Sequence, residues 1–337
     1  MMKPFERIKA MVDKKEVDRP GVAFWKHFPL QDRNVEKMIE TTTSFQLQFE
    51  SDFIKVCHNG LYSIEDWGST IRWPTYPLQV GVVTDFSIKN ENDWIKLRVN
   101  DPNKGALKRE LDITEGIVYR FQGDVPVLAT IFSPLTTAIK MSGEETLFHH
   151  IQSAPEAVHE GLEVITETTI QFVRELIKIG IDGVFFATQL ATFDRMTAEQ
   201  YEEFGQTYDL QVLDKIKKST WFNIAHIHGL QPMFEKIANY PVQAINWHDR
   251  TANVTLEDAK NLTDKILIGG LEENQFIEQA SELELQEHIE DALHQIGEPN
   301  RLIIAPGCVM NLTTKNERFA LTRSLVNKLA VADLIKN

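Results

Sequence analysis

Eight short stretches rich in apolar, β-branched and aromatic residues recur along the chain, at 21–27, 52–59, 125–133, 182–189, 220–229, 242–249, 265–272 and 301–308. Several are almost continuously apolar, the pattern of strands buried on both faces of a parallel sheet. Helical periodicity fills the intervals. Val158, Leu162, Ile165, Phe172, Val173 and Leu176 share one helical face, predicting a helix from about Ser153 and Pro155 to Gly180. Thr197 with Gln200 reads as a capping box for a helix to about Lys217, and Ser281 with Glu284 for one ending near Gly297. A last helix is expected from about Lys315 to Ile335. Eight strands alternating with helices predict a (β/α)8 TIM barrel, taken as one domain over 1–337. An open doubly wound sheet is the alternative, but no G-x-G-x-x-G follows any strand. Residues 60–104 break the alternation. With Trp67, Trp73 and Tyr76 among turn residues, they read as a loop-and-hairpin insertion after the second strand, at the face where barrels keep their chemistry.

Composition narrows the function classes. The chain has 337 residues, 42% hydrophobic and 25% charged, so it is globular. Its 35 basic against 49 acidic residues give a net charge of −14, which argues against a nucleic-acid or anionic-membrane partner. Two cysteines suit a reducing compartment, and neither a signal sequence nor a membrane-length apolar run is visible. A cytoplasmic soluble protein is expected.

The predicted C-terminal strand ends gather histidines and both cysteines: Lys26 and His27, Cys57 and His58, Ser133, Gln189, His226 and His228, His248 and Asp249, Glu272, and Cys308. In a strand, residues i and i+2 face the same side, so His226 and His228 can both face the barrel mouth. Cys308 follows Ala305-Pro306-Gly307 at the end of the eighth strand. Two imidazoles and a thiolate make a zinc site with a fourth position open, for which His248 is the candidate occupant. Equally, one histidine can be a core hydrogen-bonder and Cys308 a small buried hydrophobe. Asp52 is either a catalytic carboxylate or simply the residue that begins the strand. Cys57-His58 is either a second metal or redox pair or a packed thiol beside an exposed imidazole. Lys26, His27, Gln189, Trp247, Arg250 and Glu272 are candidate substrate contacts, with Lys26 and Arg250 the anion binders. His149, His150 and His288 are read as surface residues.

Several segments resemble the uroporphyrinogen decarboxylase superfamily. Arg19-Pro20-Gly21-Val22 resembles its R-P-P-V opening, and Glu50-Ser51-Asp52-Phe53-Ile54 its F-S-D-I stretch. Asp194 to Tyr201, with Phe204, resembles its S-P-E-Q-F…F helix start. Ile304-Ala305-Pro306-Gly307-Cys308, followed by Thr314-Lys315-Asn316-Glu317, resembles its closing strand and T-P-x-E-N helix. The resemblance implies a (β/α)8 barrel and offers two chemistries. Decarboxylases hold porphyrinogen carboxylates with arginines of an R-Q-A-G-R segment. Here that place reads Lys26-His27-Phe28-Pro29-Leu30, and an ammonium lacks the guanidinium fork. Their tyrosine falls at about Lys140 and their late histidine at Cys308, leaving Asp52 as the match to the catalytic aspartate.

The superfamily's cobalamin-dependent methyltransferases bind zinc with H-x-C on the fifth strand and G-C on the eighth. This chain is closer to them, with His226-Ile227-His228 and Gly307-Cys308. The resemblance therefore implies zinc on His226, His228 and Cys308, with His248 beside them. It also implies methyl transfer from methylcobalamin on a corrinoid partner protein to a small thiol. The rivals are uroporphyrinogen decarboxylation in tetrapyrrole biosynthesis, using Asp52, and a barrel that binds without catalysis. Dimers are common among decarboxylase relatives, so a homodimer is expected.

Overall fold

A computed structural model describes residues 2–328. Ten strands occur in chain order: β1 (Gly21–Val22), β2 (Ile54–Val56), β3 (Thr70–Arg72), β4 (Val82–Asp85), β5 (Val127–Phe132), β6 (Gly183–Thr188), β7 (Ile224–Ile227), β8 (Ala244–Trp247), β9 (Ile266–Leu271) and β10 (Leu302–Pro306). Eight of them form one parallel sheet in the order β1-β10-β9-β8-β7-β6-β5-β2. The seam between β1 and β2 is bridged where the Asp52 amide donates to the Val22 carbonyl at 2.7 Å and the Phe24 amide to Ser51 Oγ at 3.1 Å. The result is the expected TIM barrel. β3 and β4 pair antiparallel as the hairpin of the insertion after β2.

Alternation along each strand sorts side chains between two cores. Ile54 and Val56, Val184 and Phe186, and Ile245 and Trp247 join the large cluster between strands and helices. Phe53, Phe185, Ile224 and Ala244 join the smaller cluster inside the barrel. Ile8 and Met11, from the helix Pro4–Val12, join the inner cluster too, so this helix closes the N-terminal end of the barrel. The stripe predicted from Val158 to Leu176 is buried along the helix Pro155–Ile179, which Gly180 ends at φ 93°. Both capping boxes form. The helix after Thr197 is interrupted by a π-helical turn, Glu202–Gln206. The last helix is Asn316–Lys328, and its expected end at Ile335 lies outside the described residues. His150, expected at the surface, is buried and accepts a hydrogen bond from Trp94 Nε1 at 3.0 Å.

Candidate metal centre

His226 belongs to β7, and its inward direction follows from the alternation that puts Ile224 inside. His228 follows one pleat later, at the exposed lip. His248 directly follows β8, and Cys308 follows β10. Two glycines let these ends converge. Gly229, at φ +117°, turns the chain after His228, and a Cβ there would meet Thr192 Oγ1 at 2.5 Å. A Cβ on Gly307 would stand 2.8 Å from Trp247 O and from His248 Cα, so glycine allows Cys308 to lie beside the end of β8.

One ligand atom from each of His226, His228, His248 and Cys308 lies within 4.8 Å of all the others. Cys308 Sγ is 3.8 Å from His226 Nε2 and 4.0 Å from His228 Nδ1, and His228 Nδ1 is 3.0 Å from His248 Nε2. Edges of a zinc tetrahedron with N and S ligands are about 3.3–3.8 Å, and separations of 3.0, 3.8 and 4.0 Å bring the atoms close to that spacing without matching it. Outer partners fix two of the rings. Asn246 Nδ2 donates to the carbonyls of Ile268 (2.9 Å) and Pro306 (3.1 Å), which leaves Asn246 Oδ1 to accept from His226 Nδ1 at 2.7 Å. His226 Nε2 therefore keeps its lone pair toward the cluster. Buried Glu273 holds His248 Nδ1 at 2.6 Å in the same way.

Electrostatics favour the thiolate. Burial alone would raise the Cys308 thiol, but the imidazoles of His226, His228 and His248 around its sulfur bring it well below its ordinary value. Burial lowers His226, aided by the neighbouring imidazoles. Burial also opposes charge on His248, yet the hydrogen bonds to Cys308 and Glu273 prevail and push it up to about 10. A thiolate and convergent imidazole nitrogens fit a divalent, sulfur-tolerant cation such as zinc.

A recess of about 100 Å³ inside the barrel borders His226 and Cys308 and reaches Lys55, His58, Lys140 and Gln189. His27 also lines it, with Nδ1 3.6 Å from Cys57 Sγ. The opposing effect of burial is outweighed there by Lys55 and His27, and the Cys57 thiol falls to about 6.

Other candidates from the sequence are placed away from this cluster. Asp52 precedes β2 and so sits at the N-terminal end of the barrel. It is fully buried and bonded to Arg7, Arg19 and the Val22 amide, far from the mouth in the order of the strand. Trp247 faces the helix layer, where Nε1 donates to the Val254 carbonyl at 2.8 Å and the ring meets Phe234. Arg250 turns outward to Asp291 and the His288 carbonyl. Glu272 caps a turn by accepting from the Asn274 and Phe276 amides, and its neighbour Glu273 is the residue at the centre. Lys26 lies in an outer groove, with Nζ 3.3 Å from the Leu312 carbonyl. Glu273 and Lys55 were not singled out from sequence, and Lys140 entered only as the position of the decarboxylase tyrosine. An isolated lysine inside the apolar run around Ile54 and Val56 was the available signal for Lys55.

Comparison with known proteins agrees with this architecture. The chain belongs to the uroporphyrinogen decarboxylase (URO-D) family, which matches residues 4–329. A methylcobamide:CoM methyltransferase, MtbA, of Methanosarcina acetivorans is 20% identical over 319 residues, covering 90% of this chain and 92% of that protein. The MtbA of Methanosarcina mazei is 21% identical over 242 residues, 67% of this chain and 70% of that one. A methyltransferase structure from Methanosarcina mazei superposes with a TM-score of 0.84 at 16% identity, covering 97% of this chain and 99% of that chain. The similarity therefore lies on the methyltransferase side of the family.

Proposed function

We propose that this protein is a zinc-dependent methyltransferase that passes a methyl group from a corrinoid carrier protein to a small thiol. The convergence of His226, His228, His248 and Cys308 at the barrel mouth carries the reading. The curated relatives named methylcobamide:CoM methyltransferases support the corrinoid donor. Zinc in such a site supplies a Lewis acid that keeps a bound thiol ionised near neutral pH. His226, His228 and Cys308 would hold the metal, and His248, set on Glu273, stands beside them where a fourth ligand or the thiol would bind. The outer side of the cluster, at exposed His228, faces the donor. The loops after β1, β2, β6 and β7 surround it with exposed Leu30, Tyr76, Leu78, Phe193 and Leu230, a rim suited to a docking protein. Decarboxylation is not favoured. Its aspartate candidate, Asp52, is sealed at the opposite end, and Leu30 and Lys26 stand where the arginines would be.

Elemental analysis of the purified protein tests this. About one zinc per chain is expected in the wild type and none in Cys308→Ala. Stoichiometric zinc retained by Cys308→Ala would overturn the assignment.

A further inference from the structure

We propose that a cleft at the N-terminal end of the barrel, under the starts of β8, β9 and β10, is a second small-molecule site, and that it takes an organic anion with a flat apolar body. The site stands apart from the metal centre and does not depend on the methyl-transfer reading.

The cleft has a volume of about 390 Å³, against about 100 Å³ for the recess at the opposite end. Three segments meet there: the end of the helix Pro4–Val12, the residues entering β8 and β9, and the turn Pro299–Arg301 before β10. Met11, Val12, Val242 and Ile266 form an apolar wall. Neither Asp52 nor the arginines bonded to it line the cleft, so it is separate from that cluster.

Donors outnumber acceptors on the polar side. Lys14, Lys265 and Arg301 face the cleft together with Asp264 and Glu298. Both carboxylates already have partners, since Asp264 pairs with Lys14 and Glu298 Oε1 accepts from Arg301 at 3.2 Å. Lys265 is half-buried, and its Nζ donates to the Val242 carbonyl at 2.9 Å. Among the described residues, no carboxylate lies within ion-pair distance of it. Burial pushes its pKa down, and the charge of Asp264 only partly opposes this. Arg301 Nε is buried without a partner. Gln243 gives its Oε1 to the Asn223 amide at 2.8 Å, which leaves its Nε2 for the cleft. A half-buried ammonium and idle N–H donors gain most from an anionic acceptor, because charge-assisted bonds replace the water they have lost.

The backbone points the same way. Lys14 has φ 55°, in the left-handed region. It follows the helix C-cap Asp13, and the next amide, of Lys15, returns to the Ala10 carbonyl at 2.8 Å. Glycine takes this position with least strain. The pair that Lys14 makes with Asp264 is exposed on both sides and adds little stability in return. What the lysine does add is an ammonium at the edge of the cleft.

Size sets the body of the ligand. An engineered apolar cavity of roughly 150 Å³ accepts a six-carbon ring, so a cleft of this volume takes on the order of fifteen non-hydrogen atoms. A two-ring aromatic acid fits, with its rings on Met11, Val242 and Ile266 and its acid group toward Lys265 and Arg301.

The test titrates naphthalene-1-sulfonate, neutral 1-naphthalenemethanol and inorganic sulfate calorimetrically into the whole protein. Wild type is compared with Lys265→Met, Lys14→Gly and Cys308→Ala. The sulfonate is expected to bind one per chain and to raise the melting temperature, and the neutral alcohol and sulfate to bind at least tenfold more weakly. Lys265→Met should weaken the sulfonate at least tenfold, and Lys14→Gly about threefold or more. Cys308→Ala should leave it unchanged. Lys14→Gly should also melt at or above the wild-type temperature, because glycine relieves the backbone, so its weaker binding cannot be put down to unfolding. Absence of sulfonate binding, equal binding by wild type and both lysine variants, or equal binding of the alcohol or of sulfate would each overturn the proposal.

Discussion

The two ends of the barrel use the same kinds of residue to opposite effect. At the N-terminal end, Asp52 lies between Arg7 (2.6 Å) and Arg19 (2.7 Å) and also accepts from the Val22 amide at 2.8 Å. Arg7 in turn holds Asp18 at 2.8 Å. Each of these carboxylates and guanidiniums meets an opposite charge in this chain, and the cluster ties the first helix and β1 to the start of β2. At the C-terminal end, Lys55 faces the Cys57 thiol whose pKa it lowers, Lys140 meets a carbonyl and a ring, and four candidate metal ligands meet one another. Buried charge that is internally neutralised is architecture. Buried charge left open is a request for a ligand.

The largest expected effect breaks the closed end. Asp52→Ala strands two buried guanidiniums, and should cost about 3–5 kcal/mol in urea unfolding. Zinc stoichiometry at the far end should stay at the wild-type value. A variant of unchanged stability with lost turnover would instead return Asp52 to the chemistry. A smaller effect is expected at the open end from Glu273→Gln. The amide still reaches His248 but no longer supports it with charge, and zinc affinity should fall about 10–100-fold. Competition with a chromophoric chelator measures this, and an unchanged affinity would remove His248 from the ligand set.

The same contrast explains what the sequence made legible. Apolar runs marked all eight barrel strands because both faces of each strand are buried. His226, His228 and Cys308 were legible because spacing by two fixes a common face and a glycine precedes the thiol. Asp52 opens its run, the second of the two readings its position allowed. The mouth end of that strand is Cys57-His58-Asn59. Trp247 and Glu272 failed by a single pleat, since a shift of one residue exchanges the barrel interior for the helix layer or a turn. Asn246 and Glu273 are their inward neighbours. Lys140 left no local trace at all. It lies in the last turn of the helix Pro134–Ser142, and its ammonium reaches the Gly60 carbonyl in the loop after β2.

Lys140 also gives the smallest and most selective way to separate the two ends. Burial pushes its pKa down to about 7, against roughly 10.4 in an unfolded chain. Below pH 7 the ammonium is charged in both states, and the folded protein bears the whole disadvantage of enclosing it. Between pH 7 and 10.4 the folded state binds fewer protons than the unfolded one, so stability must rise with pH through this window. The side chain keeps partial contact with solvent, so the gain should stay near 1 kcal/mol from pH 7 to 9, below the full 1.4 kcal/mol per pH unit. Lys140→Met should be the more stable protein at pH 7, and that difference should have shrunk by about 1 kcal/mol at pH 9. Parallel denaturation curves for the two proteins at both pH values, without metal or added anion, measure it. A constant difference would mean that Lys140 already has a counter-charge within the chain, and the contrast between a neutralised end and an open one would fail at that residue.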